Sequence, residues 1–282
     1  MKVLLIVNPQ KSASQKLANE IKIVLGKQGI ETFFLSYTDK TVTHPDYDIA
    51  FSLGGDGTVL FASRSVAAFD VPILPINLGT VGFIASVHPS KWLEVFTLWQ
   101  NNKAQISSRI MLDVSVERAG KQVFNLSALN DAVISASGIA KTIRLQAASS
   151  NMHLGSYRSD GLIAATPTGS TAYCASAGGP ILDPEMEAII LNPICPFTLL
   201  YRPLVLTAGD PLTIKIDPDQ RSGVLLTIDG QVTEALETND LVKIKKTSYK
   251  THLIASDRAA FYHALHTKLS MLGDGQGCGK TG

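Results

Sequence analysis

Near residue 106 the spacing of apolar residues changes from helical to alternating, and that change limits what the chain can fold into. Before it, short apolar runs at 2–7, 31–36, 48–53 and 71–77 read as strands. Helical stretches lie between or after them. The one near 14–26 carries Leu17, Ile21, Val24 and Leu25 on one face, and the one near 90–100 carries Trp92, Val95, Phe96 and Trp99 at i, i+3, i+4 and i+7. That spacing assigns the aromatics to a core. Beyond residue 106, Leu112, Val114 and Val116 alternate with Asp113, Ser115 and Glu117; Phe124, Leu126 and Ala128 alternate again, as do Ile143, Leu145 and Ala147. Leu212, Ile214 and Ile216, and then Val242 and Ile244 against Lys243 and Lys245, continue the pattern. The expectation is an α/β domain with a parallel sheet over 1–105 and a β-rich, antiparallel domain over 106–256. A helix over 257–270, with Phe261, Leu265 and Leu269 on one stripe, is expected to pack back on the first domain, followed by a disordered tail over 271–282.

The length of 282 residues suits two domains. Formal net charge is +1 and Lys and Arg are scattered, so no field of one sign exists to attract nucleic acid or an anionic membrane. No apolar run reaches membrane-spanning length. The opening run, Val3 to Val7, is too short for a secretory leader and is stopped by Asn8-Pro9. Cys174, Cys195 and Cys278 have neither metal-ligand spacing nor the numbers for a disulfide framework, which fits a cytoplasmic protein. In the tail, Gly279-Lys280-Thr281 is not a P-loop: Asp274 stands where that motif needs glycine, and no helix follows.

One loop concentrates the chemistry of the first domain. Gly54-Gly55-Asp56-Gly57-Thr58 joins a buried strand to a stretch with Val59, Ala62 and Val66 at helical spacing. Strand, glycine loop and helix point backbone N–H groups at an anion, helped by the helix dipole. Asp56 is discordant, because a carboxylate repels phosphate unless it binds a metal or accepts a proton. The other reading is a tight turn with Asp56 as N-cap, and spacing alone leaves both open. A second glycine loop, Gly79 to Gly82, follows the run at 71–77; both loops fall at strand C-termini, where ligands sit in such sheets.

In the second domain the stretch from Ser159 to Pro180 is an apolar strand followed by small polar residues and glycines, with Tyr173 its one aromatic. Such a chain can approach a polar planar ligand closely, offering backbone groups and hydroxyls. Asn130-Asp131 alone reads as a turn.

Gly54 to Thr58, Asn130-Asp131, the stretch from Asp160 to Pro180, and Asp229-Gly230-Gln231 occur in the order found in NAD kinases, and the chain resembles that family over nearly all its length except the tail. The glycine–aspartate loop is shared with phosphofructokinases and with diacylglycerol and sphingosine kinases; the segment from Thr166 to Pro180 is specific to NAD kinases. The resemblance implies phosphorylation of the adenosine 2′-hydroxyl of NAD to give NADP, with ATP (or another nucleoside triphosphate or polyphosphate) and a divalent metal, Mg²⁺, as companion. It implies Asp56 as proton acceptor with Gly57 beside it, and Gly54, Gly55, Gly57 and Thr58 as the phosphate loop. Asn130 and Asp131 would hold the dinucleotide; Thr171, Ala172, Tyr173, Cys174, Ala175 and Ser176 would wall its adenosine half. Arg158 and Asp160 would reach the nicotinamide end, in a site completed by a neighbouring subunit of a dimer or tetramer, and Lys141 and Gln231 match further contacts. Lys141 and Arg158 also read as solvated charges, and Gln231 as a turn residue. Phosphoryl transfer through a loose transition state needs mainly positioning and charge neutralisation, and a carboxylate in reach of a ribose hydroxyl can take its proton.

Four departures stand out. Phe61 occupies a position that is often basic, Phe197 follows Pro196 where histidine is common, Thr80-Val81 replaces His-Leu, and Asp131 is one methylene shorter than the commoner glutamate. The alternatives are a lipid or sugar kinase of the same superfamily, which would predict a binding site for an acyl chain that the polar 166–176 segment argues against, and a silent NAD-binding sensor, against which the intact Asp56 argues.

Overall fold

A computed structural model describes residues 1–37, 46–80, 82–150, 152–198 and 200–273, with side chains to residue 268. The chain divides into two compact units, one of residues 1–107 and 252–282 and the other of 108–251.

In the first unit β1 (Lys2–Val7), β2 (Glu31–Ser36), β3 (Ile49–Gly54) and β4 (Ile73–Asn77) lie in the order β2-β1-β3-β4, all parallel. The order reverses between β1 and β3, so the C-terminal ends of those strands flank the crevice where an open α/β sheet takes its ligand. Helices α1 (Ser12–Gly26), α2 (Asp56–Val66) and α3 (Trp92–Gln100) connect or follow the strands. The apolar faces of α1 and α3 close on Leu5, Phe51, Leu53 and Leu74. Phe51 meets Phe96 at 5.3 Å and Trp92 at 6.0 Å between ring centroids, so the expected aromatics of α3 do belong to a core. Phe61, the departure after the glycine loop, packs edge-on against Tyr37 at 5.4 Å: an apolar contact stands where a charge is common.

The closing helix α5 (Arg258–Gly273) belongs to the same unit, where Phe261 approaches Phe83 at 6.0 Å and the Lys268 ammonium lies 3.9 Å above the Phe83 ring. It runs three residues past the helix end expected at 270; the rest of the expected tail, with Cys278 and Gly279-Lys280-Thr281, lies outside the described residues, as does Val81.

The second unit is antiparallel. One sheet has the order β12 (Leu204–Thr207), β11 (Ala188–Ile194), β10 (Gly161–Ala165), β7 (Asp131–Ala136), β14 (Val224–Ile228), β15 (Val232–Leu236). A second set pairs β16 (Leu241–Ile254) with β13 (Leu212–Ile216), β13 with β8 (Ile143–Ser149) and β8 with β9 (Met152–Ser159); β5 (Ile106–Arg118) pairs with β6 (Lys121–Ala128) and with β16. The alternating residues do what their period requires: Leu112, Val114, Val116, Val242 and Ile244 are buried, while Lys243 and Lys245 face out. β5 and β16 carry the chain from one unit to the other.

Candidate active site

Asp56 is the first residue of α2, not its cap. Gly55 occupies the cap position in an extended conformation and makes no side-chain cap hydrogen bond. The N-cap reading of Asp56 is therefore corrected: its carboxylate turns away from its own helix and is held by the segment after β4. Oδ2 accepts the Phe83 N–H at 2.9 Å; Oδ1 accepts the N–H groups of Ala85 at 2.8 Å and Ile84 at 3.2 Å. An ionised carboxylate offers about four acceptor positions, so one remains, on Oδ2.

Two glycines make this fit. A Cβ on Gly82 would sit 2.7 Å from Asp56 Cγ and closer still to Oδ1, and a Cβ on Gly54 would sit 2.7 Å from Thr58 Cβ. Both glycines are there because another group presses on the backbone, not because φ demands them. Gly57 follows Asp56 within the first turn of α2, and Thr58 is buried with its N–H bonded to Gly55 O at 2.9 Å. The second glycine loop is braced from β4, with Asn77 accepting the Gly79 N–H at 2.9 Å and donating to Thr80 O at 2.9 Å.

The second unit holds a cavity of about 370 Å³ lined by Asn130, Asp131, Ala172, Tyr173 and Asp229 together with residues of β7 and β14. Strand β7 starts at Asp131, so the Asn130-Asp131 turn lies at the N-terminal end of an interior strand, and both residues line the cavity. Thr166 donates its N–H to Asn130 O at 2.8 Å and its hydroxyl to Leu129 O at 2.5 Å, and Gly169 lies against Asn130, where a Cβ would be 2.5 Å from the carbonyl carbon. Asp229 accepts the N–H groups of Asn130 at 2.7 Å, Asp131 at 3.2 Å and Leu129 at 3.2 Å.

Asn130 Oδ1 is buried without a hydrogen-bond partner. Burial, and then the charge of Asp229, push the Asp131 carboxyl up to about 7. Among the residues lining the cavity none is basic. Such a wall suits a neutral group that donates hydrogen bonds, a ribose hydroxyl for example, better than a second anion.

The other expected site residues are dispersed within this unit. Thr171 bonds Thr168 O at 3.3 Å; Tyr173, Cys174, Ala175 and Ser176 form the short helix α4, with Tyr173 and Ser176 exposed. Cys174 points into an apolar cluster with Val133, Ile163 and Ile190, and burial pushes its thiol up to about 11, so it packs and does not react. Arg158 does not line the 370 Å³ cavity; it stacks on the exposed Phe197 ring at 4.6 Å and borders a smaller hollow with Arg144, Asp219 and Arg221. Asp160 sits between β9 and β10, its backbone N–H bonded to Ile194 O at 3.0 Å and its carbonyl accepting from Ala136 N–H at 3.0 Å. Lys141 is exposed, its stem against Gly138, and Gln231 follows the turn between β14 and β15.

Reasoning from sequence placed Gly82 in the second glycine loop, Gly169 in the 159–180 stretch and Asp229 in the Asp229-Gly230-Gln231 motif, but assigned none of the three its own role in the site.

For the expected divalent metal, no group of three or more His, Cys, Asp or Glu that could hold an ion occurs among the described residues. Asp56 has most of its acceptor positions filled by amides. These donors do not compose a resident metal site.

Comparison with known proteins gives a concordant picture. Family models described as ATP-NAD kinase N-terminal domain and ATP-NAD kinase C-terminal domain match residues 37–103 and 129–256. A protein named NAD kinase from Treponema denticola is 41% identical over 275 residues, 96% of this chain and 97% of that protein. NAD kinase of Citrifermentans bemidjiense is 38% identical over 257 residues, covering 91% of this chain and 89% of the relative. Among solved structures, yeast NADH kinase complexed with NADH aligns with TM-score 0.84 at 24% identity, covering 100% of this chain and 90% of that one. An NAD kinase from Archaeoglobus fulgidus in complex with ATP aligns at 0.77 and 23%, covering 96% and 99%. At those identities the two structures speak for the fold, an α/β unit joined to an antiparallel β unit, while the curated relatives speak for descent. The chain belongs to the NAD kinase family.

Proposed function

We propose that Asp56 is the proton acceptor in the reaction of this family, the phosphorylation of NAD at its adenosine 2′-hydroxyl to give NADP. The observation that carries the assignment is the anchoring of the Asp56 carboxylate by three backbone amides. Anchoring removes the freedom of the side chain and leaves one acceptor position, on Oδ2, for the hydroxyl proton. As the oxygen–phosphorus bond forms, the hydroxyl proton passes to Oδ2, the ribose oxygen takes the γ-phosphoryl group, and the bond to the leaving nucleoside diphosphate breaks. Asn130 and Asp131 hold the dinucleotide, and the α4 segment walls its adenosine half. ATP is the donor, and Mg²⁺ comes with its phosphates as part of that substrate.

The test is an NADP assay with pure protein, NAD, ATP and Mg²⁺. Wild type should turn over, and Asp56→Asn should lose about 10²–10⁴ in kcat while still binding NAD. Near-normal turnover in Asp56→Asn removes the assigned role.

The same reading extends to assembly and location. The exposed Arg158 and the neighbouring Asp160 are proposed to serve the nicotinamide end of a site in a second copy of the chain, in a dimer or tetramer without nucleic acid or membrane partners. Homodimers of Asp56→Asn and of Asp160→Asn would each be impaired at both sites, whereas a mixed dimer would hold one intact site. Refolding the two variants together should then recover up to about a quarter of wild-type activity if chains pair at random and sites act independently. No recovery, despite demonstrated exchange, refutes the shared site. A reducing cytoplasm suits the free, exposed Cys195. Among the described residues no helix is long and apolar enough to cross a membrane.

A further inference from the structure

Asp229 stands out because four of its hydrogen bonds go to one short segment. It closes the hairpin between β14 and β15 with φ of 50°, in the left-handed region, and Gly230 follows at 65°. Asp tolerates that conformation better than most residues, but it still carries strain, and strain of this kind persists where the surroundings hold it. Here the surroundings are the turn that precedes β7. The Asp229 N–H donates to Asp131 O at 2.9 Å, and its two carboxylate oxygens receive the amides of Leu129, Asn130 and Asp131. Four hydrogen bonds therefore join one buried residue to three consecutive residues about a hundred positions away. An ionised acceptor makes the carboxylate bonds stronger than neutral ones.

The segment so held carries Asn130 and Asp131, both of which line the cavity, and Asn130 Oδ1 is buried there without a hydrogen-bond partner. Thr166 and Gly169 grip its carbonyl side. Asp229 grips its amide side, and no other side chain of the described residues takes those three amides. We propose that Asp229 is a positioning residue for the dinucleotide: by fixing the amides of residues 129–131 it sets where the side chains of Asn130 and Asp131 meet the ligand's hydroxyls. The inference rests on the reading of this cavity as the dinucleotide site.

Its charge has a second effect. The groups that face Asp131 are Asp229 at the end of β14 and, from α4, Tyr173 and Cys174; no cation offsets the two carboxylates among the residues lining the cavity. Removing the Asp229 charge therefore makes Asp131 easier to ionise, although burial still opposes it.

Two substitutions separate position from charge. Asp229→Asn keeps one acceptor oxygen, loses the charge and turns an NH₂ toward an amide donor. Asp229→Glu keeps the charge and displaces the carboxylate by one methylene. Both should raise the KM for NAD by tenfold or more with kcat within about threefold of wild type. The pH at which KM changes should move down in Asp229→Asn and stay in place in Asp229→Glu. A merely structural role would lower the melting temperature without shifting that pH. Asp131→Asn and Asn130→Ala serve as controls for the site itself. If neither alters KM, the cavity is not the dinucleotide site. If they do alter it while folded Asp229→Asn and Asp229→Glu bind NAD like wild type, the positioning role is refuted. Should Asp229→Asn fail to fold, Asp229→Glu decides alone through its KM.

Discussion

Adding a single methyl group to Gly82 tests the anchoring of Asp56 without replacing any charged group. In Gly82→Ala the new Cβ would lie 2.7 Å from Asp56 Cγ and 2.9 Å from Oδ2, and nearer still to Oδ1. Carbon and oxygen do not approach so closely, so one side must yield. If the carboxylate swings away, it leaves the amides of Phe83, Ile84 and Ala85; if the loop backs off, the same three bonds lengthen. Hydrogen bonds to a charged group are worth roughly 1.5–3 kcal/mol each, but water can reach this partly exposed carboxylate and replace much of that. The net stability loss is therefore expected near 1–3 kcal/mol, and the kinetic loss to dominate. Misplacing a catalytic group by about 1 Å costs on the order of 10²-fold, and losing a general base costs about 10²–10⁴-fold. Steady-state assays should show kcat down about 10²-fold, no lower than Asp56→Asn, with the KM for NAD within about threefold, because the cavity around Asn130 is in the other unit. A double variant with both changes should be no worse than Asp56→Asn alone, since the methyl acts only through that carboxylate. A folded Gly82→Ala enzyme with wild-type kcat would show that the amide anchor does not matter to catalysis.

Two further outcomes follow from the second unit. The folded Asp131 carboxyl titrates near 7 and its unfolded counterpart near 3.8, so the folded chain keeps a proton that the unfolded chain releases between those values. Stability should therefore fall as pH rises from about 4 to about 7, by at most roughly 4 kcal/mol from this residue. Urea unfolding at pH 5 and pH 7.5 should show the difference in wild type and a flatter response in Asp131→Asn; equal slopes would refute the buried, raised carboxyl. Gly169→Ala would place a Cβ 2.5 Å from the carbonyl carbon of Asn130, backbone against backbone, with no flexible side chain to yield. Thermal unfolding should register a loss of more than about 2 kcal/mol, with a weaker affinity for NAD in whatever folds.

The course of the chain was legible before any coordinates because periodicity is local. Leu112, Val114 and Val116 bury every second side chain whatever lies opposite them, and Trp92, Phe96 and Trp99 fall on one helical face by spacing alone. Gly54 to Thr58, between a strand and a helix, marked the chemistry in the same way, and the order of the motifs along the chain was enough to place it in its family. What one neighbour imposes on another from a distance was not legible. Whether Asp56 capped its own helix or turned elsewhere depended on the segment 27 to 29 residues later, which lies beside it only because β3 and β4 are adjacent in the sheet. Gly82 was visible as part of a second glycine loop, but its role was not, since its need for a missing Cβ comes from the Asp56 carboxylate and not from φ. Asp229 was legible only as part of the Asp229-Gly230-Gln231 motif, with no role of its own. Its hold on the amides of residues 129–131 exists because β7 and β14 pair side by side, bringing together groups 98 to 100 residues apart. Local pattern sets what each segment can become; the order of strands in a sheet decides which backbone amides a given carboxylate will meet.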